Sequence, residues 1–261
     1  MTVYIKEIKQ SFKAWCIWTF AISFMLMMCV LIFPETKGQM ESLNNVFANM
    51  GSFSSAFGLD ELNFGELMGF YKTECGNTLG IGSGLFSALI GISALSAEEK
   101  EHTAEFLLTH PVSRFSVVMQ KLLSVLTQII FMNIVIIGIA LLSSLIIGES
   151  FEMRPFFLMH MAYIIMQTEI ACICFGISAF IRRGSVGAGL GIAVLFYFMN
   201  IISNITEKAD FLKYITPYAY ADSSSIISES RLEMNLICIG ILISAFGILT
   251  AVLKYTKKDI L

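Results

Sequence analysis

Charge is what this 261-residue chain has least of: 14% of its residues are Asp, Glu, Lys or Arg, against 56% hydrophobic. A soluble domain of this size carries about a quarter charged residues. The few charges are bunched, and between them run apolar windows of about 20 residues, the length that crosses a ~30 Å hydrocarbon core. These features describe a polytopic, all-α membrane protein. A net charge of −3 leaves no basic stripe to follow phosphates, which argues against a nucleic-acid partner. Histidine is scarce as well. His102, His110 and His160 are not spaced with Asp, Glu or Cys at a common depth, so neither an intramembrane enzyme centre nor a metal site is expected. The cysteines (Cys16, Cys29, Cys75, Cys172, Cys174 and Cys238) lie in or beside apolar runs and read as small packing residues. No G-x-x-x-x-G-K-[ST] occurs, and the glycine-rich "GNTLGIGSG" has no Lys after it. The chain therefore cannot cradle nucleotide phosphates by itself and binds no cofactor of its own.

Six apolar runs fit membrane spans: residues 15–33, 75–95, 122–147, 155–181, 185–203 and 234–253. The first follows Lys6, Lys9 and Lys13, like the start of a signal peptide, but is too long and has no small-residue cleavage site, so it reads as a retained span. With the N-terminus inside, 11 of the 17 Lys and Arg residues fall on the cytoplasmic side. The positive-inside rule then places both termini in the cytoplasm, in a plasma or inner membrane. Residues 40–70, with Phe spaced among polar residues, suit a broken amphipathic helix in the interface, and 207–232 suit a second outer segment. Tyr214, Tyr218 and Tyr220 in that segment suit headgroup depth. Nothing divides the chain, so residues 1–261 read as one transmembrane domain.

The most charged interval, "SALSAEEKEHTAEFLLTHPVSR", lies between the second and third runs. Ser96 with Glu99 forms a capping box, Glu98, Glu99 and Glu101 suit the first helical turn, and Pro111 ends the helix. A short helix over 97–110 follows. Ala104, Leu107 and Leu108 form its apolar stripe, and Glu98, Glu101, His102, Glu105 and Thr109 an adjoining polar face. Phe106 projects roughly 150° from the stripe. The helix serves either as a connector sealing the membrane surface or as an aromatic knob, ringed by acids, that docks a cytosolic protein.

"EEKEHTAEFLLTHPVSR", followed by Lys121, resembles the cytoplasmic signature of ABC-2 type transporter permeases. The matching positions are Glu98, Thr103, Glu105, Leu107, Leu108, Pro111, Val112, Ser113, Arg114 and Lys121; His102 stands where the family usually has glycine. "YITPYAYAD" and the ending "YTKKDIL" extend the resemblance over the whole chain. It implies a six-span permease of the type V exporter kind, with a coupling helix between spans two and three. It also implies docking of an ATPase subunit through Glu98, Glu101, His102, Glu105, Phe106, Thr109 and Arg114. ATP and Mg would sit on that partner, and a second permease copy or paralogue would complete a 2+2 complex in membrane lipid. An amphipathic peptide, of the phenol-soluble modulin or antimicrobial kind, or a lipophilic drug is the cargo that the resemblance suggests.

Within the spans, Gly76, Gly80 and Gly84 recur at i+4, as do Gly184–Ala188 and Gly187–Gly191, spacing that serves close helix packing or a sliding surface during gating. Glu169 falls mid-span, where an ionisable group needs polar company. Gln128 and Asn133, or Asn200 and Asn204, could supply it, and Glu169, Gln128, Asn133 and Met166 mark a candidate substrate path. Glu169 also leaves open a different class of function, an ion-coupled secondary transporter.

Overall fold

A backbone surrounded by hydrocarbon must satisfy its N–H and C=O groups within its own segment, and the long apolar runs do so as helices. The computed structural model describes residues 2–48, 54, 63, 65–100, 113–181, 186–221, 225–228 and 230–257, with side chains at 40–48, 97–100, 207, 225 and 228 left out of the description. Its helices are α1 (Thr2–Ala48), α2 (Leu67–Phe70), α3 (Gly76–Lys100), α4 (Arg114–Ile147), α5 (Met153–Ser178), α6 (Val186–Ile205), α7 (Tyr218–Ala221), α8 (Ser225–Ser228) and α9 (Met234–Lys257). A π-helical turn, Tyr71–Cys75, joins α2 to α3 without a break, and a 3-10 helix, Glu207–Tyr214, follows α6. Among the described residues, six stretches are long and apolar enough to cross a membrane: Thr2–Gln39, Leu67–Ser96, Arg114–Ile147, Met153–Ser178, Val186–Ile205 and Met234–Lys257. The protein is an all-α membrane protein.

The spans are not equivalent. Those built on α3 and α5 are 67% buried, against 22–39% for the other four, so these two form the centre. Their contact depends on Gly91: a Cβ there would lie 2.5 Å from the Ala171 carbonyl oxygen. On the other side of α5, Gly247 of α9 sits so close that its Cβ would meet the Cys172 carbonyl at 2.6 Å. Both neighbours are backbone atoms that cannot rotate away. Small residues at these crossings let the helices approach, which is how association is driven where lipid offers no hydrophobic effect.

Local signals set several helix ends. Ser113 caps α4 by accepting from the Ser116 N–H at 3.2 Å. Gly148, in the left-handed conformation at φ 73°, closes the same helix.

Elsewhere the structure departs from the sequence reading. The first apolar run ends at Phe33, yet α1 continues through Pro34 to Ala48. Tertiary packing overrides the proline here: Val30 and Phe33 are fully buried, and the Phe33 and Phe70 rings meet at 5.1 Å. Leu67–Phe70 is buried as the start of the second span, not laid in an interface. Ser96 caps no new helix. It lies inside α3, buried, with its hydroxyl donating to the Ile92 carbonyl at 2.7 Å, and the backbone stays helical to Lys100. Tyr218 and Tyr220 are 2% exposed and lie within the bundle; only Tyr214 is exposed.

Gly91→Val or Gly247→Val is expected to cost about 1–3 kcal/mol by overpacking against a fixed carbonyl. Gly187 and Gly191 on α6 have nothing within 4 Å of an added Cβ, so alanine at either is expected to be neutral or to stabilise by up to about 1 kcal/mol. Thermal unfolding of the purified variants in detergent tests both; equal losses at the two kinds of site would contradict the packing.

Candidate functional site: buried polar contacts in the bundle

Where α3 ends and α4 begins, the aliphatic sequence around Lys121 buries that residue completely. Its ammonium donates to Glu7 Oε1 at 2.7 Å and to the Ala94 carbonyl at 2.7 Å. One side chain thereby joins α1, α3 and α4. Glu7 is the sole carboxylate in residues 1–34, so the pairing was open to inference from an isolated Lys in an apolar run. At the same end, Arg114 donates to the Thr256 carbonyl at 3.2 Å and ties α4 to the last turn of α9. The docking residues Glu101, His102, Glu105, Phe106 and Thr109 lie outside the described residues, and Glu98 has a described backbone alone.

Deeper in the bundle, Glu169 is 2% exposed and accepts a hydrogen bond from the Tyr220 hydroxyl at 2.8 Å. Gly240 of α9 makes this possible, because a Cβ there would overlap the carboxylate. Two of the expected partners of Glu169, Asn133 and Gln128, make their hydrogen bonds elsewhere. Asn133 donates to Gln167 Oε1 at 2.6 Å, linking α4 to α5. Gln128 donates to the Ser124 carbonyl within its own helix and has no partner at Oε1. Asn200 is buried in α6. Met166 is fully buried, as core packing.

The segment that carries Tyr220 turns back into the bundle and is pinned to three helices. Thr216 donates to the Phe196 carbonyl of α6 at 2.8 Å, and Tyr218 donates to the Gly80 carbonyl of α3 at 3.4 Å. Tyr220 supplies the third tie, to α5. Gly84 gives the Tyr218 hydroxyl its room, and Gly76 and Gly80 lie against the Tyr163 ring. The small-residue row on α3 therefore accommodates tyrosines instead of another helix backbone. Tyr163 donates to the Gly76 carbonyl at 3.1 Å, and Tyr71 shares a hydrogen bond of 3.1 Å with His160.

Sequence reasoning missed Tyr220, Gln167 and Glu7. Gln167 stands two residues before Glu169, a polar cluster in an apolar helix that could have pointed to it. Tyr220 gave no such signal, because its partner is 51 residues away.

Glu7→Gln removes the 2.7 Å ion pair from the fully buried Lys121 ammonium. It is expected to cost about 3–5 kcal/mol, with the Glu7→Gln/Lys121→Met pair recovering part of that loss. Thermal unfolding of the three variants checks this; strict additivity would show that the two groups are not coupled.

Residues 1–260 match the family described as ABC-2 family transporter protein. Over 221 residues the chain is 26% identical to the uncharacterized protein YhcI of Bacillus subtilis (strain 168), covering 73% of this chain and 68% of that one.

Proposed function

Because the chain belongs to the ABC-2 transporter family, we propose that it is the permease subunit of an ATP-driven exporter, working as a 2+2 complex with a second permease copy or paralogue. The membership makes it a membrane subunit and not itself the catalytic one. ATP and Mg are then bound by the partner, consistent with a sequence that contains no phosphate-cradling motif. Both termini face the cytoplasm, and residues 97–110 form the coupling element. Glu98, Glu101, His102, Glu105, Phe106 and Thr109 present the docking face. Arg114 acts behind it, since its guanidinium is engaged with α9.

The observation that carries this reading is the joint around Lys121. The stretch bearing the signature begins on α3, and one buried ammonium ties α3 to α1 and α4. A displacement imposed on residues 101–112 is thereby delivered to three spans together. Export and an amphipathic peptide or lipophilic cargo come from the resemblance, and the apolar, Met- and Phe-rich interior supports them. Glu169, closed off by Tyr220 and Gly240, fits a structural tie between α5 and the returning segment better than an ion-binding carboxylate open to a path.

Co-expression with the ATPase partner and affinity capture tests docking. Phe106→Ala or Glu105→Ala is expected to cost about 2 kcal/mol or more of association, as for a buried anchor, and to uncouple ATP hydrolysis from transport. Capture and coupling unchanged in both variants would sink the docking assignment. Transport that persists without ATP hydrolysis, runs on an ion gradient and is lost in Glu169→Gln would favour the ion-coupled reading.

A further inference from the structure

The seam between α1 and the second span brings two cysteines together. The two helices run antiparallel, and their contacts fix the register. The Trp18 and Phe86 rings meet at 6.3 Å, and a Cβ at Gly82 would lie 3.1 Å from Ile22 Cγ1. Cys29 stands eleven residues after Trp18, and Cys75 eleven residues before Phe86. Eleven residues make about three helical turns, so both cysteines return to the face on which those rings meet. They fall opposite one another, and their thiols are hydrogen-bonded. Neither is in a disulfide in this structure.

The π-helical turn Tyr71–Cys75 sets the phase of the next contact along the seam. Phe33 and Phe70, whose rings meet at 5.1 Å, lie four residues after Cys29 and five before Cys75. The wide turn takes up the extra residue, and such turns are frequent at functional sites. One seam thereby holds both the ring pair and the thiol pair. Leu26, Val30 and Phe33 flank Cys29, Tyr71 and Leu79 flank Cys75, and all five are fully buried, which keeps the two backbones in place. The thiols differ in access: Cys75 is buried, whereas Cys29 is half-buried. Cys75 directly follows the exposed Glu74, so the pair lies near a polar edge of the bundle, at the end away from Lys121.

We propose that Cys29 and Cys75 form a reversible disulfide site, a redox-controlled clamp between α1 and the second span. A disulfide oxidant supplies the chemistry. The Cys29 thiolate, the more accessible of the two, attacks one sulfur of that oxidant, forms a mixed disulfide and releases the other sulfur as a thiolate. Cys75 then gives up its proton and attacks Cys29 Sγ, which closes the Cys29–Cys75 bond and expels the second thiolate. Two electrons pass from the pair to the oxidant, the two protons go to the released thiolates, and the oxidant ends as two thiols. The new bond closes residues 29–75 into a loop and so restricts the unfolded chain. The orientation proposed above puts this end on the outer side, where disulfides persist, but the pairing does not rest on that orientation.

Dithiodipyridine, a small aromatic disulfide, is added to the purified full-length chain in detergent. Remaining thiols are blocked with N-ethylmaleimide and the peptides are mapped by mass spectrometry. The expected product is a Cys29–Cys75 peptide pair within one chain, two hydrogens lighter than the free peptides. The thermal midpoint should rise by about 5 °C or more, return with dithiothreitol, and show no such rise in Cys29→Ala or Cys75→Ala. Recovery of both cysteines as maleimide adducts, or as adducts of the reagent alone, overturns the proposal. A Cys29 bond between two chains overturns the pairing with Cys75. A Cys29–Cys75 bond that leaves the midpoint unchanged overturns the clamp.

Discussion

Hydrocarbon offers no hydrogen bonds, so a polar group inside the bundle is costly unless another part of the protein matches it. The rest of the structure depends on that constraint. Apolar helix faces in lipid have little to fix their register, because packing against a neighbour and packing against acyl chains are chemically similar. Paired polar groups do fix it. The Asn133–Gln167 amides set α4 against α5, Glu169 and Tyr220 set the returning segment against α5, and Lys121 sets α1, α3 and α4 together.

Helix α5 is the post on which these ties are strung. In order along it, His160 meets Tyr71, Tyr163 meets the Gly76 carbonyl, Gln167 meets Asn133 and Glu169 meets Tyr220. Beyond them, its backbone at Ala171 and Cys172 is approached by Gly91 and Gly247. Polar ties and then glycine crossings thus follow one another along one central helix. That explains why α5, with the α3 that it packs against, is the most buried of the spans.

The helical class and the six apolar stretches were legible because hydropathy is a local property, readable wherever charges are absent for about 20 residues. Ends and partners were harder. Pro34 carries a strong local stop signal, and burial of Val30 and Phe33 overrode it. Ser96 with Glu99 carries a strong local start signal, yet its hydroxyl turned back onto Ile92 because the helix was already under way. Glu169 was legible as a group in need of a partner. Which partner was not, since Tyr220 arrives through a chain reversal that no spacing announces. The glycine row at 76, 80 and 84 announced closeness correctly but not to what, because a small residue admits a tyrosine ring as readily as another helix.

The strengths of these contacts also differ from one end of the bundle to the other. Separating Lys121 from Glu7 would break an ion pair on a fully buried ammonium, a penalty of several kcal/mol. Parting the exposed Lys37–Glu149 pair, 2.8 Å apart near the opposite end, costs about 1 kcal/mol or less. The end of α3 is therefore held to α1 and α4 by a joint stronger than the exposed pair that links α1 to the far end of α4.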